Sequence, residues 1–214
     1  TQQRTVDLTR VFGDVELPAA GLWNIPPGWA TIELSVPRLL GTTMRSMIRL
    51  KQGMIAIADD PSHSTAHLSL DALSIRTGEH AVDEFLHHEV LDADRYSTIP
   101  VRIAGVRHRS GAMWSADGWV TVRGVATALD FEITYEGLFH KGPAALFRAQ
   151  TSLPLGSVLP INSGLRSRFF ASRTLRIAIE LYAEPVRAKA DHTARRRLPH
   201  LAAMSSSRHT AAYA

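Results

Sequence analysis

Apolar and polar residues alternate with a period of two along most of the chain, which is the pattern of β-strands buried on one face. Three segments show it most clearly. Their apolar positions are Ile32, Leu34 and Val36; Leu129, Phe131, Ile133 and Tyr135; and Leu175, Ile177, Ile179 and Leu181. Further strands are predicted at about residues 43–58, 65–73, 99–108, 113–126 and 144–153. Eight or so antiparallel strands at hairpin spacing predict an all-β sandwich or barrel.

Turn residues separate the predicted strands, and one segment has a different period. The turn signals are Asp60-Pro61-Ser62, Arg109-Ser110-Gly111, Asp117-Gly118 and Lys141-Gly142-Pro143. Between Gly78 and Leu91, by contrast, apolar residues recur at helical spacing, at Ala81, Phe85, Leu86 and Val90. We therefore predict one short helix inserted between strands, where it closes an end of a barrel or covers an open sheet edge.

Charge is concentrated at the C-terminal end. The 214 residues carry a formal net charge of +4, and residues 185–214 contain six basic residues against one acidic residue. The tail therefore has a net charge of +5, which leaves the rest of the chain close to neutral. Because the tail has few large apolar residues, we predict that residues 185–214 form a basic, disordered tail that lies outside the folded domain.

Composition limits the class of protein. Apolar residues make up 45% of the chain, which is typical of a globular domain, and there is no cysteine for disulfides or thiolate metal sites. The sequence contains no uninterrupted apolar run long enough for a membrane helix and no secretory signal pattern at its start. The expected location is cytoplasmic, although a chain that begins without Met is also compatible with a processed, exported form.

Candidate catalytic and metal-binding groups are interpreted as structural. The pairs His63 and His67, and His87 and His88 with Glu84 nearby, suggest zinc, which needs three or four converging ligands. Because His63 is expected in a turn and His67 in a strand, they do not share a helix face, and we predict surface histidines and no metal site.

Three aspartates near the predicted helix, Asp71, Asp83 and Asp92, could be imagined as acid/base groups, but structural roles explain them better. We expect Asp71 to accept backbone N–H groups at the turn, Asp83 to lie on the polar side of the helix or to pair with an arginine, and Asp92 to cap or order the loop. We expect no enzymatic activity.

Spaced motifs in the middle of the chain indicate a family. One motif spans a strand, a turn and the predicted helix, with Asp71, Ser74, Ile75, Thr77, Gly78, Asp83, Leu86, Asp92 and Tyr96 at matching positions. Together with Trp23-Asn24-Ile25, the segment WVTVRGVA at 119–126 and a closing strand at 175–181, it resembles the YceI-like, polyisoprenoid-binding family. The resemblance implies an eight-stranded antiparallel, lipocalin-like barrel over residues 21–184, preceded by an N-terminal extension of residues 1–20.

The sequence is a divergent member of that family. Pro26-Pro27-Gly28-Trp29-Ala30 replaces a segment that is usually polar, and Val82 stands where an arginine is usual. With fewer fixed polar groups, the pocket is expected to accept an apolar tail and to discriminate poorly between head groups. The residues expected to line it are Ile32, Leu34, Leu68, Leu70, Phe85, Tyr96, Phe131, Ile133, Phe147, Ile177 and Ile179.

Two functions are compatible with these features. In the first, a soluble, non-catalytic protein carries or sequesters an isoprenoid or similar long-chain amphiphilic lipid, with no cofactor other than that lipid. In the second, the barrel is filled and the protein is an interaction module whose basic tail makes weak, non-specific contact with an anionic membrane or nucleic acid. Neither function implies specific nucleic-acid binding. Both are compatible with a monomer or a homodimer.

Overall fold

The fold consists almost entirely of antiparallel strands. The computed structural model describes residues 8–38, 41–139, 143–158 and 174–186. Within them the strands are β1 Thr9–Phe12, β2 Val15–Pro18, β3 Gly21–Ile25, β4 Ala30–Pro37, β5 Thr43–Ile57, β6 Thr65–Arg76, β7 Thr98–Ser110, β8 Met113–Val122, β9 Val125–Leu138, β10 Ala145–Pro154 and β11 Thr174–Pro185.

The strands close into the predicted eight-stranded barrel. From β5 to β11 each strand pairs antiparallel with the next, and β11 pairs with β3 and β4, both of which return to β5. β3 and β4 are two parts of one barrel strand, which makes the number of barrel strands eight. β1 and β2 form a separate two-stranded sheet. Closure leaves the barrel sheet without a free edge along which other chains could add.

Two prolines account for the break between β3 and β4. Pro26 and Pro27 lack the N–H group that a central strand needs for its ladder of hydrogen bonds. The chain turns here instead, with the Trp29 N–H donating to the Pro26 carbonyl at 3.0 Å. Residues 26–29 therefore form the turn that separates β3 from β4.

The structure corrects two details of the predicted strands. The strand expected at residues 113–126 ends at Val122, because Arg123 and Gly124, with φ of 51° and 78°, form the turn of the β8–β9 hairpin. Asp117-Gly118, predicted as a turn, lies in the middle of β8. Gly118 is required there because a Cβ atom would lie 2.4 Å from the ring of Phe131.

The predicted helix is present between β6 and β7. α1 spans His80–Phe85 and continues as a wider π-helical turn over Leu86–Val90. Val82 is buried and Ala81 is exposed, so the apolar face is rotated from the one expected. No helix among the described residues is long and apolar enough to cross a bilayer.

The N-terminal extension is folded from residue 8 onwards. β1 and β2 form a hairpin, and the side chains of Val15 and Leu17 are each only 6% exposed, as part of the barrel core. Arg10 fixes the hairpin to the barrel by donating to the backbone carbonyls of Ala58 and Asp59.

Of the tail predicted at 185–214, Pro185 is the last residue of β11 and Val186 donates its N–H to the Leu22 carbonyl, so these two belong to the folded domain. Residues 187–214 lie outside the described residues, and their predicted disorder stays a prediction.

Candidate functional site

The barrel encloses one cavity at the end covered by α1 and the π-helical turn, which we call the helix-end cavity. Its volume is about 130 Å³. Aliphatic side chains make up most of its wall, which includes the helical residues Leu86 and Val90 and the barrel residues Ile32, Leu34, Val36, Ile48, Leu68, Leu70, Ile99, Val101, Val120, Leu129, Phe131, Leu153, Ile177 and Ile179. Inward-facing positions of every barrel strand thus contribute to one apolar space.

Three hydroxyl groups line the helix-end cavity, and each is hydrogen-bonded within the wall. Ser46 Oγ donates to the Arg76 carbonyl at 2.8 Å and accepts from the Arg76 N–H at 3.2 Å. Thr151 Oγ1 donates to the Asp130 carbonyl at 2.7 Å, and Thr77 Oγ1 donates to Asp83 at 2.7 Å. Because the hydroxyl protons are already engaged, the cavity offers no free donor from these groups to a polar ligand.

Asp83 holds the rim of this cavity in place. Its Oδ1 atom accepts from both the backbone N–H and the hydroxyl of Thr77, and only 9% of the residue is exposed. Burial disfavours the ionised form, but the two hydrogen bonds from Thr77 outweigh it, so the pKa of Asp83 lies below its ordinary value. Asp83 was expected on the polar side of the helix or paired with an arginine, but its carboxylate is buried and is bound by Thr77 instead.

A second cavity lies at the opposite end of the barrel, beneath the β1–β2 hairpin, and we call it the hairpin-end cavity. Its volume is about 120 Å³. The hairpin contributes Arg10, Leu17 and Pro18, and the barrel contributes Ile55, Ile57, Ala66, Ile103, Val106, Trp114, Ile133, Tyr135, Phe147, Ala149 and Leu181. Residues that sequence reasoning assigned to an extension therefore form part of an interior wall.

Unlike the hydroxyl groups of the helix-end cavity, three polar atoms at the hairpin-end cavity lack a hydrogen-bond partner among the described residues. They are Arg10 Nε, Trp114 Nε1 and the Tyr135 hydroxyl, and all three are buried. Burial, with a smaller contribution from the charge of Glu16, raises the pKa of Tyr135 to about 12. The phenol therefore stays protonated and keeps its capacity to donate.

A packed layer separates the two cavities. Along β9, Leu129 and Phe131 line the helix-end cavity, and Ile133 and Tyr135 line the hairpin-end cavity. The Phe131 ring packs against Gly118 in the space between, and the Ile25 side chain packs against Gly53, its partner on the neighbouring strand β5. Each cavity is about as large as an apolar protein cavity that binds benzene, so a longer ligand must displace this layer.

The predicted ligand-binding residues are distributed over both cavities. Seven line the helix-end cavity: Ile32, Leu34, Leu68, Leu70, Phe131, Ile177 and Ile179. Ile133 and Phe147 line the hairpin-end cavity. Phe85 packs against the core and Tyr96 lies beneath the Arg95 guanidinium, and neither lines a cavity described here. Contact of any of the eleven with a ligand stays a prediction.

The aspartates and histidines singled out in the sequence do not converge. The side chain of Asp71 pairs with Arg49 and Lys51 on the outside of β5, rather than accepting backbone N–H groups as expected. The Asp92 backbone carbonyl accepts from the N–H groups of Arg95 and Tyr96, which orders the loop after the helical segment. In the described part of the chain, no three His, Asp or Glu side chains are grouped as metal ligands would be.

Comparison with solved structures places the barrel among known folds. It is similar to BcnA from Burkholderia cenocepacia, with 12% identity, a TM-score of 0.61, and coverage of 72% of this chain and 95% of that one. A polyisoprenoid binding domain from Saccharophagus degradans, implicated in plant cell wall breakdown, gives 14% identity, a TM-score of 0.59, and coverage of 77% and 98%. The YCEI protein of Campylobacter jejuni gives 15% identity, a TM-score of 0.53, and coverage of 64% of this chain and 84% of that one. At these identities the likeness concerns the fold alone.

The family is established by the sequence itself. No curated protein matches the chain. The family model of the YceI-like domain, however, matches residues 23–158, which is more than half of the chain. The match begins at Trp23, so the β1–β2 hairpin that closes the hairpin-end cavity precedes it. The chain belongs to the YceI-like family.

Proposed function

We propose that this protein is a non-catalytic binding protein that carries or sequesters an isoprenoid or similar long-chain amphiphilic lipid inside its barrel. The observation that carries the proposal is the wall of the helix-end cavity. It is apolar apart from Ser46, Thr77 and Thr151, whose hydroxyl groups all donate within the wall. Such a space favours hydrocarbon over water or a charged ligand.

Energetics support a chain-like ligand. Each methylene group moved from water into an apolar cavity contributes about 0.8 kcal/mol, so roughly ten of them offset the cost of immobilising a ligand. The helix-end cavity alone is too small for such a chain, at about 130 Å³. A ligand of that length would also occupy the hairpin-end cavity after movement of Phe131.

Family membership supports the same ligand class. The domain from Saccharophagus degradans, with which this barrel shares its fold, is described as polyisoprenoid binding. The alternative interpretation, a filled barrel with an interacting tail, has no comparable support, because the interior holds two cavities and residues 187–214 lie outside the described part of the chain.

Two adjacent positions on β10 provide the test. Leu153 is 4% exposed and lines the helix-end cavity, whereas Ser152 is exposed on the outer face opposite Arg176. Leu153→Asp places a charge inside, and Ser152→Asp makes the same addition outside. Binding of geranylgeraniol would be measured by titration calorimetry, with circular dichroism to verify folding.

We expect binding by the parent chain and by Ser152→Asp, and loss of binding in Leu153→Asp. Absence of binding by the parent chain would refute the proposed function. Equal affinity of a folded Leu153→Asp variant would refute the helix-end cavity as the site.

A further inference from the structure

The hairpin-end cavity is lined by buried hydrogen-bond donors that lack a partner within the described part of the chain. Trp114 and Tyr135 are each 6% exposed, both line this cavity, and neither Trp114 Nε1 nor the Tyr135 hydroxyl has a partner among the described residues. Buried polar groups in folded proteins are nearly always hydrogen-bonded, to protein, to ordered water or to a ligand. Two such donors in one small cavity therefore indicate an occupant that presents oxygen.

The chemistry of these groups specifies an acceptor. An indole Nε1 can only donate, and a phenol whose pKa is raised to about 12 remains a donor at physiological pH. Arg10 adds a third donor, its buried Nε atom. The complementary ligand group is thus a hydroxyl, carbonyl or similar oxygen.

The surrounding charges favour an uncharged oxygen over a phosphate. The terminal nitrogens of Arg10 are already engaged by the carbonyls of Ala58 and Asp59, and the Asp59 carboxylate lies 4.0 Å from the guanidinium. Glu16 adds a second negative charge, which acts on Tyr135. Among the described residues that line this cavity, Arg10 is the positively charged one, and the carboxylates of Asp59 and Glu16 near it disfavour a multiply charged anion.

We propose that Trp114 and Tyr135 form a head-group subsite that binds the uncharged hydroxyl or carbonyl oxygen of a lipid such as a prenyl alcohol. The apolar chain of the ligand packs against Ile103, Ile133 and Leu181 in the wall of the same cavity. This inference rests on the proposed function and adds the ligand's polar end to it. The ligand's oxygen would then be recognised by Trp114 and Tyr135. Neither is one of the positions at which this sequence has lost the polar residues usual in the family.

The test compares two ligands and three variants of the full chain. Farnesol and farnesene share a carbon skeleton, but only farnesol carries a hydroxyl group. Tyr135→Phe removes one donor, Trp114→Phe removes the other, and Tyr182→Phe is the matched control. The Tyr182 hydroxyl donates to Glu180 at 3.4 Å, and Tyr182 lines neither cavity. Dissociation constants and melting curves would be measured for each combination.

We expect Tyr135→Phe and Trp114→Phe to bind farnesol roughly three- to tenfold more weakly, as loss of one hydrogen bond predicts, while farnesene binding is unchanged. Tyr182→Phe should alter neither. Because Tyr135→Phe removes an unpaired buried hydroxyl, it should melt no lower than the parent chain.

Three results would overturn the subsite. In the first, farnesol affinity is unchanged in both cavity variants, which would mean that these donors meet only water. In the second, farnesol and farnesene weaken equally, which would indicate a packing role. In the third, Tyr182→Phe has the same effect. Failure of the parent chain to bind either ligand would instead refute the proposed function, and with it the subsite.

Discussion

Thr77 donates its backbone N–H and its hydroxyl to the same carboxylate oxygen of Asp83, each at 2.7 Å. The pair joins the end of β6 to α1 and so fixes the rim of the helix-end cavity. It also engages the hydroxyl proton of Thr77, a residue that lines the cavity. Asp83, a family motif position, thus engages the Thr77 hydroxyl group that would otherwise be a free donor in the cavity wall.

Asp83→Asn tests this anchor through its pH dependence. The pKa of Asp83 is lower in the folded chain than its ordinary value of 3.8, so its ionised form stabilises the fold at pH values above about 4. This stabilisation disappears as the pH falls through the folded-state pKa. We expect the variant to lose about 1 kcal/mol of unfolding free energy at pH 7, with a smaller difference at pH 3. Chemical denaturation at both pH values measures it, and a pH-independent difference would contradict the account.

Phe131→Ala should join the two cavities. Loss of a buried phenylalanine costs about 3–5 kcal/mol of stability, but it also removes the ring that separates the helix-end and hairpin-end cavities. We expect the affinity for geranylgeraniol to rise relative to that for geraniol. Phe147→Ala is the control, because it enlarges only the hairpin-end cavity. An unchanged dependence on chain length would show that Phe131 does not restrict the ligand.

Arg10→Ala should loosen the hairpin that covers the second cavity. The side chain donates to the carbonyls of Ala58 and Asp59, and charged hydrogen bonds typically contribute about 1.5–3 kcal/mol. We expect a lower melting temperature and faster ligand release, measured by stopped-flow displacement. Unchanged release would mean that ligand does not leave past the hairpin.

Deletion of residues 187–214 should leave the barrel intact. β11 ends at Pro185, and the Val186 N–H donates to the Leu22 carbonyl at 2.8 Å, so the deletion keeps this contact. We expect a melting temperature within a degree or two of the parent chain and undiminished lipid binding. Affinity for anionic vesicles, measured by flotation at low salt, should fall. A large loss of stability would place the tail against the barrel.

Local alternation predicted the strands and their inner faces but left a sandwich or a barrel open, and the family resemblance decided for the barrel. Alternation along β9 and β11 identified Phe131 and Ile179 as interior residues, and a two-residue period cannot shift register without exposing them. The prediction of a turn at Asp117-Gly118 was wrong because Gly118 lies within a strand, where the absence of a side chain leaves space for the Phe131 ring. That requirement comes from a neighbouring strand and is invisible in a local pattern.

The site was only partly predictable for a similar reason. Apolar positions such as Ile32 and Ile177 were identified, but their assignment to one of two cavities depends on where side chains from different strands meet. Leu17 was missed because the short alternation at Val15–Pro18 is a weak signal. Trp114 lies in a predicted strand but was not assigned to the site. Whether a buried donor such as the Tyr135 hydroxyl finds a partner is decided by three-dimensional packing.

Native mass spectrometry of the full-length chain, purified under mild conditions and then incubated with a prenyl alcohol, tests the central claim most directly. The account predicts one bound lipid of defined mass per chain, either retained from the source or taken up on incubation, and its loss in Leu153→Asp but not in Ser152→Asp. A chain that remains bare before and after incubation, while folded by circular dichroism, would contradict it.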